Sequence, residues 1–317
     1  MDYIFSPSPE SPILVIGAAG VDIVGSLFGG LNPGASTPSQ IRSSPGGVSR
    51  NVAENLARLG QPVILLTAVG EDQTGDQLIQ HTCDAGVEVK FVIGTHDYPT
   101  GTYLALVNSK GELQYALDDM RAITSLTPDY LQEHADLFQE ASLLFVDANL
   151  SKETLRKAIS LAHRANLPIC ADPTSSMLAS RFCPYLTRLS MITPNSTEAG
   201  ILCDRTIDVS KRRQAMEAAK YLVSLGVDIA IVTRAHYGVC YATSETSGQV
   251  PAIRTEIVDP TGSGDALTAA VIFALLNGIP LDGAMRLGVS AATLTLRHSG
   301  SVVPDLNLEK LYDQLVI

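Results

Sequence analysis

The 317-residue sequence contains no tryptophan, and aromatic residues make up only 5% of it. It has no run of 18 apolar residues, the length a helix needs to cross a bilayer, so no membrane span is expected. It also lacks a basic excess. Against 33 Asp and Glu stand 22 Lys and Arg, a formal charge of −11, which argues against gripping a nucleic-acid polymer or an anionic membrane through a net basic surface. The five cysteines, Cys83, Cys170, Cys183, Cys203 and Cys240, are far apart and without CxxC spacing. Neither a disulfide framework nor a zinc site is therefore indicated, and a reducing, cytoplasmic setting fits. The first apolar run leads into "GAAGVD" and not G-x-G-x-x-G, so the dinucleotide fingerprint of a hydride-transfer enzyme is missing. The start of the chain has no basic segment followed by an apolar core, as a secretory signal would. Residues 1–12, rich in Ser and Pro, are expected to form a flexible leader. By elimination, the expected partner is a small molecule.

With 45% hydrophobic residues the chain can bury a sizeable core. Short apolar runs recur at 13–17, 63–70, 143–149, 168–174, 191–195 and 229–235, and segments with helical spacing lie at 49–59, 74–85, 152–165, 212–225 and 265–276. Strands alternating with helices predict an α/β fold: a mainly parallel sheet with helices on both faces, binding its ligand at the carboxyl ends of the strands. Two intervals, about 22–45 and 90–120, break the rhythm with alternating sequence such as "GTYLALVNSKGELQYAL", where Asn108–Gly111 reads as a hairpin turn. They are expected to form a small β-sheet lid inserted into one domain spanning 13–317.

The stretch "VDPTGSGDALTAAVIFALLNG" (258–278) joins a glycine-containing loop to an apolar helix that stops at Asn277-Gly278. Gly262 and Gly264 let the backbone turn its N–H groups inward where the helix presents its positive end, which makes an anion site. Asp265 at the helix start reads equally well as a cap or first-turn acid and as a chemical group.

Together, "GGVSRNVAENLARLG", "TPNSTEAG" and "DPTGSGD" resemble the ribokinase-like (PfkB) family of sugar and nucleoside kinases over nearly the whole chain. The resemblance implies a ribokinase-like three-layer α/β/α domain with a small β lid, using ATP and Mg2+. It implies Asp265 as catalytic base, with the backbone of Gly262, Ser263 and Gly264 as an anion hole for the transferring phosphoryl group. On the acceptor side it implies Asp22, Gly46, Gly47 and Asn51, with Asn149 as a further candidate. Asn195, Thr233 and Gly238 would meet the nucleotide, and Glu198 of N-x-x-E would organise magnesium through water. Asp259 and Thr261 match the place where many members hold a monovalent cation, so K+ is a further expectation. The sequence departs from the family pattern at Arg234-Ala235, where T-x-G is usual, and Val48 and Ser49, with Arg50 before Asn51, set it apart from the G-G-K-G-A-N form of the ribokinases. Within the family the chain looks most like the pseudouridine kinases. Ribose, fructose, 2-keto-3-deoxygluconate and inosine-type nucleosides are the alternative acceptors, and a non-catalytic binding regulator is the alternative of another class. A homodimer joined through the lids is expected from exposed strand edges and from the resemblance.

Overall fold

The computed structural model describes residues 11–32, 34–108 and 113–315. The expected leader (1–12) and hairpin turn (108–111) lie almost wholly outside the described residues.

The described strands are β1 (Ile13–Ile16), β2 (Gly20–Leu27), β3 (Ser39–Gly46), β4 (Val63–Leu66), β5 (Ala68–Gly70), β6 (Ile93–Thr95), β7 (Gly101–Val107), β8 (Leu113–Asp119), β9 (Leu143–Asp147), β10 (Ile169–Asp172), β11 (Met191–Ile192), β12 (Ile229–Thr233), β13 (Val239–Ala242) and β14 (Ser247–Val250). Eight of them form the main sheet in the order β14-β13-β12-β11-β10-β9-β1-β4. Pairing is parallel from β4 to β12 and antiparallel at β13 and β14.

A strand covered on both faces is apolar along its whole length, and β1, "ILVI", is buried at every residue. Its side chains alternate between two cores. Leu14 and Ile16 join Leu144, Val146 and the helices Lys152–Arg164 and Arg212–Ser224. Ile13 and Val15 join Phe145 and the helices Val48–Arg58, Ser263–Leu276 and Leu281–Leu296. The chain thus has three layers. Among the described residues no helix is long and apolar enough to cross a membrane.

The run 63–70 forms two strands where one was expected. Gly17 N–H takes the Leu66 carbonyl, the next carbonyl, Thr67, accepts from Ile93 N–H, and β5 then pairs with β6 in a separate two-stranded sheet. The interval 90–120 is divided accordingly, with β6 on one side of the break and β7 and β8 on the other.

The third sheet, β3-β2-β7-β8, has two unlike faces. Registers Asp22↔Ser44, Asp22↔Tyr103 and Val24↔Arg42 place Asp22, Arg42, Ser44 and Tyr103 on one face. Registers Gly25↔Ile41, Gly25↔Leu106, Leu104↔Leu117 and Leu106↔Tyr115 place an apolar set on the other.

Helices Ser263–Leu276 and Leu281–Leu296 approach closely at Gly288, where an added Cβ would lie 2.7 Å from Val271 Cγ2 and 3.1 Å from the Leu267 carbonyl oxygen. Gly288→Val is expected to destabilise the fold by about 1–3 kcal/mol through overpacking. A lower urea midpoint with an unchanged m-value would report it.

Candidate active site

The loop 258–262 leads into helix Ser263–Leu276 at the carboxyl edge of the main sheet. Gly262 is the residue before the helix, with φ +75°, and a Cβ there would lie 2.0 Å from the Ser301 carbonyl oxygen. Only glycine fits that conformation and that approach. Gly264 is exposed and an added Cβ would meet open space. No side chain caps this helix start, so Asp265, in its first turn, is not a cap. That leaves its carboxylate for other partners, and it finds one across the molecule: Asn51 Nδ2 donates to Asp265 Oδ2 at 2.7 Å.

An amide can present either end, and here neighbours decide which. Arg50 Nη2 donates to Asn51 Oδ1 at 2.5 Å, and the Ser301 hydroxyl lies 3.0 Å from the same oxygen. Nδ2 is therefore turned to Asp265. Arg50 is only 1% exposed; its Nε donates to the Gly46 carbonyl at 3.1 Å and its Nη1 to Glu54 one turn along the same helix. Arg58 donates twice to the other Glu54 oxygen, at 2.8 and 2.6 Å.

Asp22 projects from β2 against Gly46, where a Cβ would meet its carboxyl at 2.4 Å. Gly47, with φ +92°, then starts helix Val48–Arg58 close against Ala18 and Ala19. Burial, then the neighbouring charge of Asp265, pushes the Asp22 carboxyl up to about 7, against the pull of Arg50. Asp265 is half-buried. Desolvation pushes it, too, up to about 7, with Asp147 and Glu198 adding to the rise and the Asn51 hydrogen bond and Arg50 opposing it.

Two further carboxylates end adjacent parallel strands. Asp147 is wholly buried, and its Oδ2 accepts from the backbone of Ala18 and Ser49 and from the Ser49 hydroxyl at 2.9, 3.1 and 2.7 Å. Its Oδ1 accepts from Asn149 N–H at 2.8 Å, so Asn149 touches this carboxylate through its backbone. Asp172, beside it on β10, is raised well above the ordinary aspartate range by burial and by Glu198 and Asp265.

A second group lies at the ends of β11 and β12. Asn195 and Glu198 form a reciprocal cap on helix Ser196–Leu202: Asn195 Oδ1 accepts from the N–H groups of Thr197 and Glu198, and Glu198 Oε2 accepts from Asn195 N–H at 2.8 Å. The same pair meets side chain to side chain at 2.6 Å. Thr233 bridges to Asn195, and Gly238 takes φ +85° with a Cβ position 2.1 Å from the Val250 carbonyl oxygen. Arg234, the departure from T-x-G, is buried and donates to the carbonyls of Val209 and Ser210, each at 3.1 Å. It ties loop 203–211 to the end of β12. Thr268 and Thr193, hydroxyl to hydroxyl at 3.1 Å, join helix Ser263–Leu276 to β11 and so link the two groups.

Asp259 and Thr261 sit on the glycine loop, Thr261 N–H donating to Asp259 Oδ1 at 3.0 Å. Asp22, Gly46, Asn51, Gly262 and Asp265 thus form one cluster, Asn195, Glu198, Thr233 and Gly238 another. Arg50, Asp147, Asp172 and Ser301 were missed by sequence reasoning. The readable signal was an acid ending each of two successive apolar runs, "LLFVD" and "ICAD"; Arg50 offered none beyond lying between Gly47 and Asn51, and Ser301 none beyond ending "LRHSGS" (296–301), which the resemblance sets beside the monovalent-cation place.

A half-buried carboxylate in the first turn of a glycine-started helix, at the strand ends of a three-layer α/β/α fold, is an arrangement that can serve transfer of an anionic group. The chain belongs to the pfkB family of carbohydrate kinases, whose family model matches residues 12–307. It is 32% identical to the pseudouridine kinase of Escherichia coli over 93% of this chain and 94% of that protein. It is 29% identical to the guanosine-inosine kinase of Exiguobacterium acetylicum over 93% and 97%. The ribokinase of Arabidopsis thaliana, solved with ribose and ATP, superposes with a TM-score of 0.83 at 21% identity, covering 97% of this chain and 99% of that one. The chain is a phosphotransferase with an alcohol group as acceptor, a sugar or nucleoside kinase with the ribokinase fold.

The charge of Asp265 contributes to the rise of Asp22, after burial. Carbon-detected NMR of the aspartate carboxyls should show both with midpoints near 7, well above the ordinary 3.8. Asn51→Ala removes a bond that favours the charged form, so the Asp265 midpoint should move further up. Both folded values exceed the unfolded ones, so these two groups favour the fold at low pH and lose that contribution as pH rises from about 4 through 7.

Proposed function

We propose that this kinase transfers the γ-phosphoryl group of ATP to the 5′-hydroxyl of pseudouridine, giving pseudouridine 5′-phosphate and ADP. The observation that carries the chemistry is the 2.7 Å contact that fixes Asp265 at the mouth of the Gly262–Gly264 loop. The likeness to the E. coli pseudouridine kinase supports the choice of acceptor, and the likeness to a guanosine-inosine kinase supports a purine nucleoside as the second reading.

Asp22, Gly46, Gly47 and Asn51 orient the ribose hydroxyls, with Asn149 at the rim. Asp265 accepts the proton of the 5′-hydroxyl as that oxygen bonds to the γ-phosphorus and the bond to the ADP oxygen breaks. The backbone of Gly262, Ser263 and Gly264 and the positive end of helix Ser263–Leu276 stabilise the charge on the transferring group. Asn195, Thr233 and Gly238 line the approach of the nucleotide. Among the described residues no three His, Cys, Asp or Glu side chains are arranged to ligate a metal directly. Glu198 and Asp172 nevertheless offer carboxylate oxygens whose mutual repulsion a divalent cation would relieve, so they fit Mg2+ held through its waters. Magnesium, when bound, would neutralise phosphate charge. The polar face of the third sheet, carrying Asp22, Ser44 and Tyr103, acts as a lid that keeps water from taking the phosphoryl group.

Incubation with Mg·ATP and pseudouridine, uridine, inosine, ribose, fructose or 2-keto-3-deoxygluconate is expected to give ADP and one added phosphate most rapidly with pseudouridine. Faster turnover of another acceptor discards the acceptor; silence across the panel favours a binding regulator. Asp265→Asn should retain acceptor binding and lower kcat by about 10²–10⁴. In the unaltered enzyme kcat/KM should rise with pH through about 7 as the base loses its proton.

The opposite face of the lid is apolar, with Ile41 72% and Leu117 67% exposed beside Tyr115. A homodimer covering that face follows from the need to bury it. Light scattering should give twice the chain mass, and Ile41→Lys with Leu117→Lys should halve it; a monomeric parent protein would end this reading.

A further inference from the structure

Asp259 is 2% exposed, and both its oxygens are engaged. Oδ1 accepts from Thr261 N–H at 3.0 Å, and Oδ2 lies 3.1 Å from Arg42 Nη2 in an ion pair. Arg42 does not belong to the loop. It comes from β3 of the third sheet, on the face that carries Asp22 and Ser44. Its Nε–H is buried without an acceptor, and Asp259 is its ion-pair partner. Asp259 and Thr261 are the residues at which a monovalent cation was expected. A cation there would have to share a carboxylate with a guanidinium that is always charged, and the two positive charges would repel across a few ångströms of protein. As arranged, the residues do not fit such an ion.

We infer that Arg42 supplies, from the lid, the positive charge that a monovalent cation would otherwise supply beside the glycine loop, so that the enzyme needs no potassium. The inference rests on the reading of this loop as the phosphoryl-binding element. It also makes the charge of the loop conditional on lid position, because the guanidinium travels with β3. An ion would be drawn from solution whether the lid is open or shut; a side chain is delivered only when its strand is seated.

The test compares potassium chloride with tetramethylammonium chloride at equal ionic strength, with two readouts. Thermal unfolding needs no acceptor, so a wrong choice of acceptor leaves it intact; turnover uses whichever compound of the panel is phosphorylated. The unaltered protein should show the same Tm and the same turnover in both salts. Arg42→Gln keeps length and polarity without charge, and should lose at least about tenfold in turnover in tetramethylammonium. Potassium should restore part of that loss and raise the Tm of this variant alone, and Arg42→Lys should recover most of what Arg42→Gln loses. A potassium-specific rise in Tm or turnover of the unaltered protein overturns the inference, as does full turnover of Arg42→Gln in tetramethylammonium. If Arg42→Gln fails to fold, the salt comparison on the unaltered protein still decides.

Discussion

One buried guanidinium organises the site. Arg50 reaches the Gly46 carbonyl, the Asn51 side-chain oxygen and Glu54, and through Asn51 it sets which end of an amide meets Asp265. A buried charge is tolerable only when its partners are in place, and removing one side of such a pair leaves the other stranded. Glu54 is accordingly held by Arg58 as well, with His81 Nε2 3.4 Å away. The N-terminal helix Val48–Arg58 and the C-terminal helix Ser263–Leu276, more than two hundred residues apart in sequence, meet through this network. Their relative placement is a matter of charge satisfaction as much as of apolar packing.

Parallel topology creates the electrostatic problem that this network answers. Strands running the same way end on the same edge, and here that edge gathers Asp147 and Asp172, with Asp265, Glu198 and Asp22 around them. Each is treated differently. Asp147 accepts from four donors on Ala18, Ser49 and Asn149, whereas Glu198 also closes a helix cap. Asp22 and Asp265 are left with fewer donors and stand near neutrality. The proton affinity that makes an aspartate useful as a base is thus the residue of incomplete solvation, and the fold carries that cost at neutral pH.

The main sheet was readable because a strand covered on both faces must be uniformly apolar, as "ILVI" and "LLFV" are, and the intervening helices show clear spacing. Turns of partnership were not readable. Nothing in "VILLTAVG" announces that hydrogen bonding passes from β1 to β6 at Thr67, and β13 and β14 extend the sheet from a stretch with weak alternation. The cluster of Asp22, Gly46, Asn51, Gly262 and Asp265 was visible as separate motifs. Their joining was not, since it depends on Arg50 and Ser301, whose side chains acquire meaning only from long-range contacts. Arg42 lay deeper still: an arginine in an alternating strand looks like a solvent-facing residue until the register places it over Asp259.

The unlike faces of the third sheet also restrict how this gene can change length. Side chains along β2 and β3 alternate with a period of two, so a single codon inserted or deleted within either strand would exchange the faces beyond that point. Asp22 or Arg42 would turn outward and an isoleucine would take its place on the face that meets the glycine loop. Changes of length should therefore be admitted between the strands, in 28–38, and refused within them, so that the connection can lengthen while the frame of the sheet stays fixed.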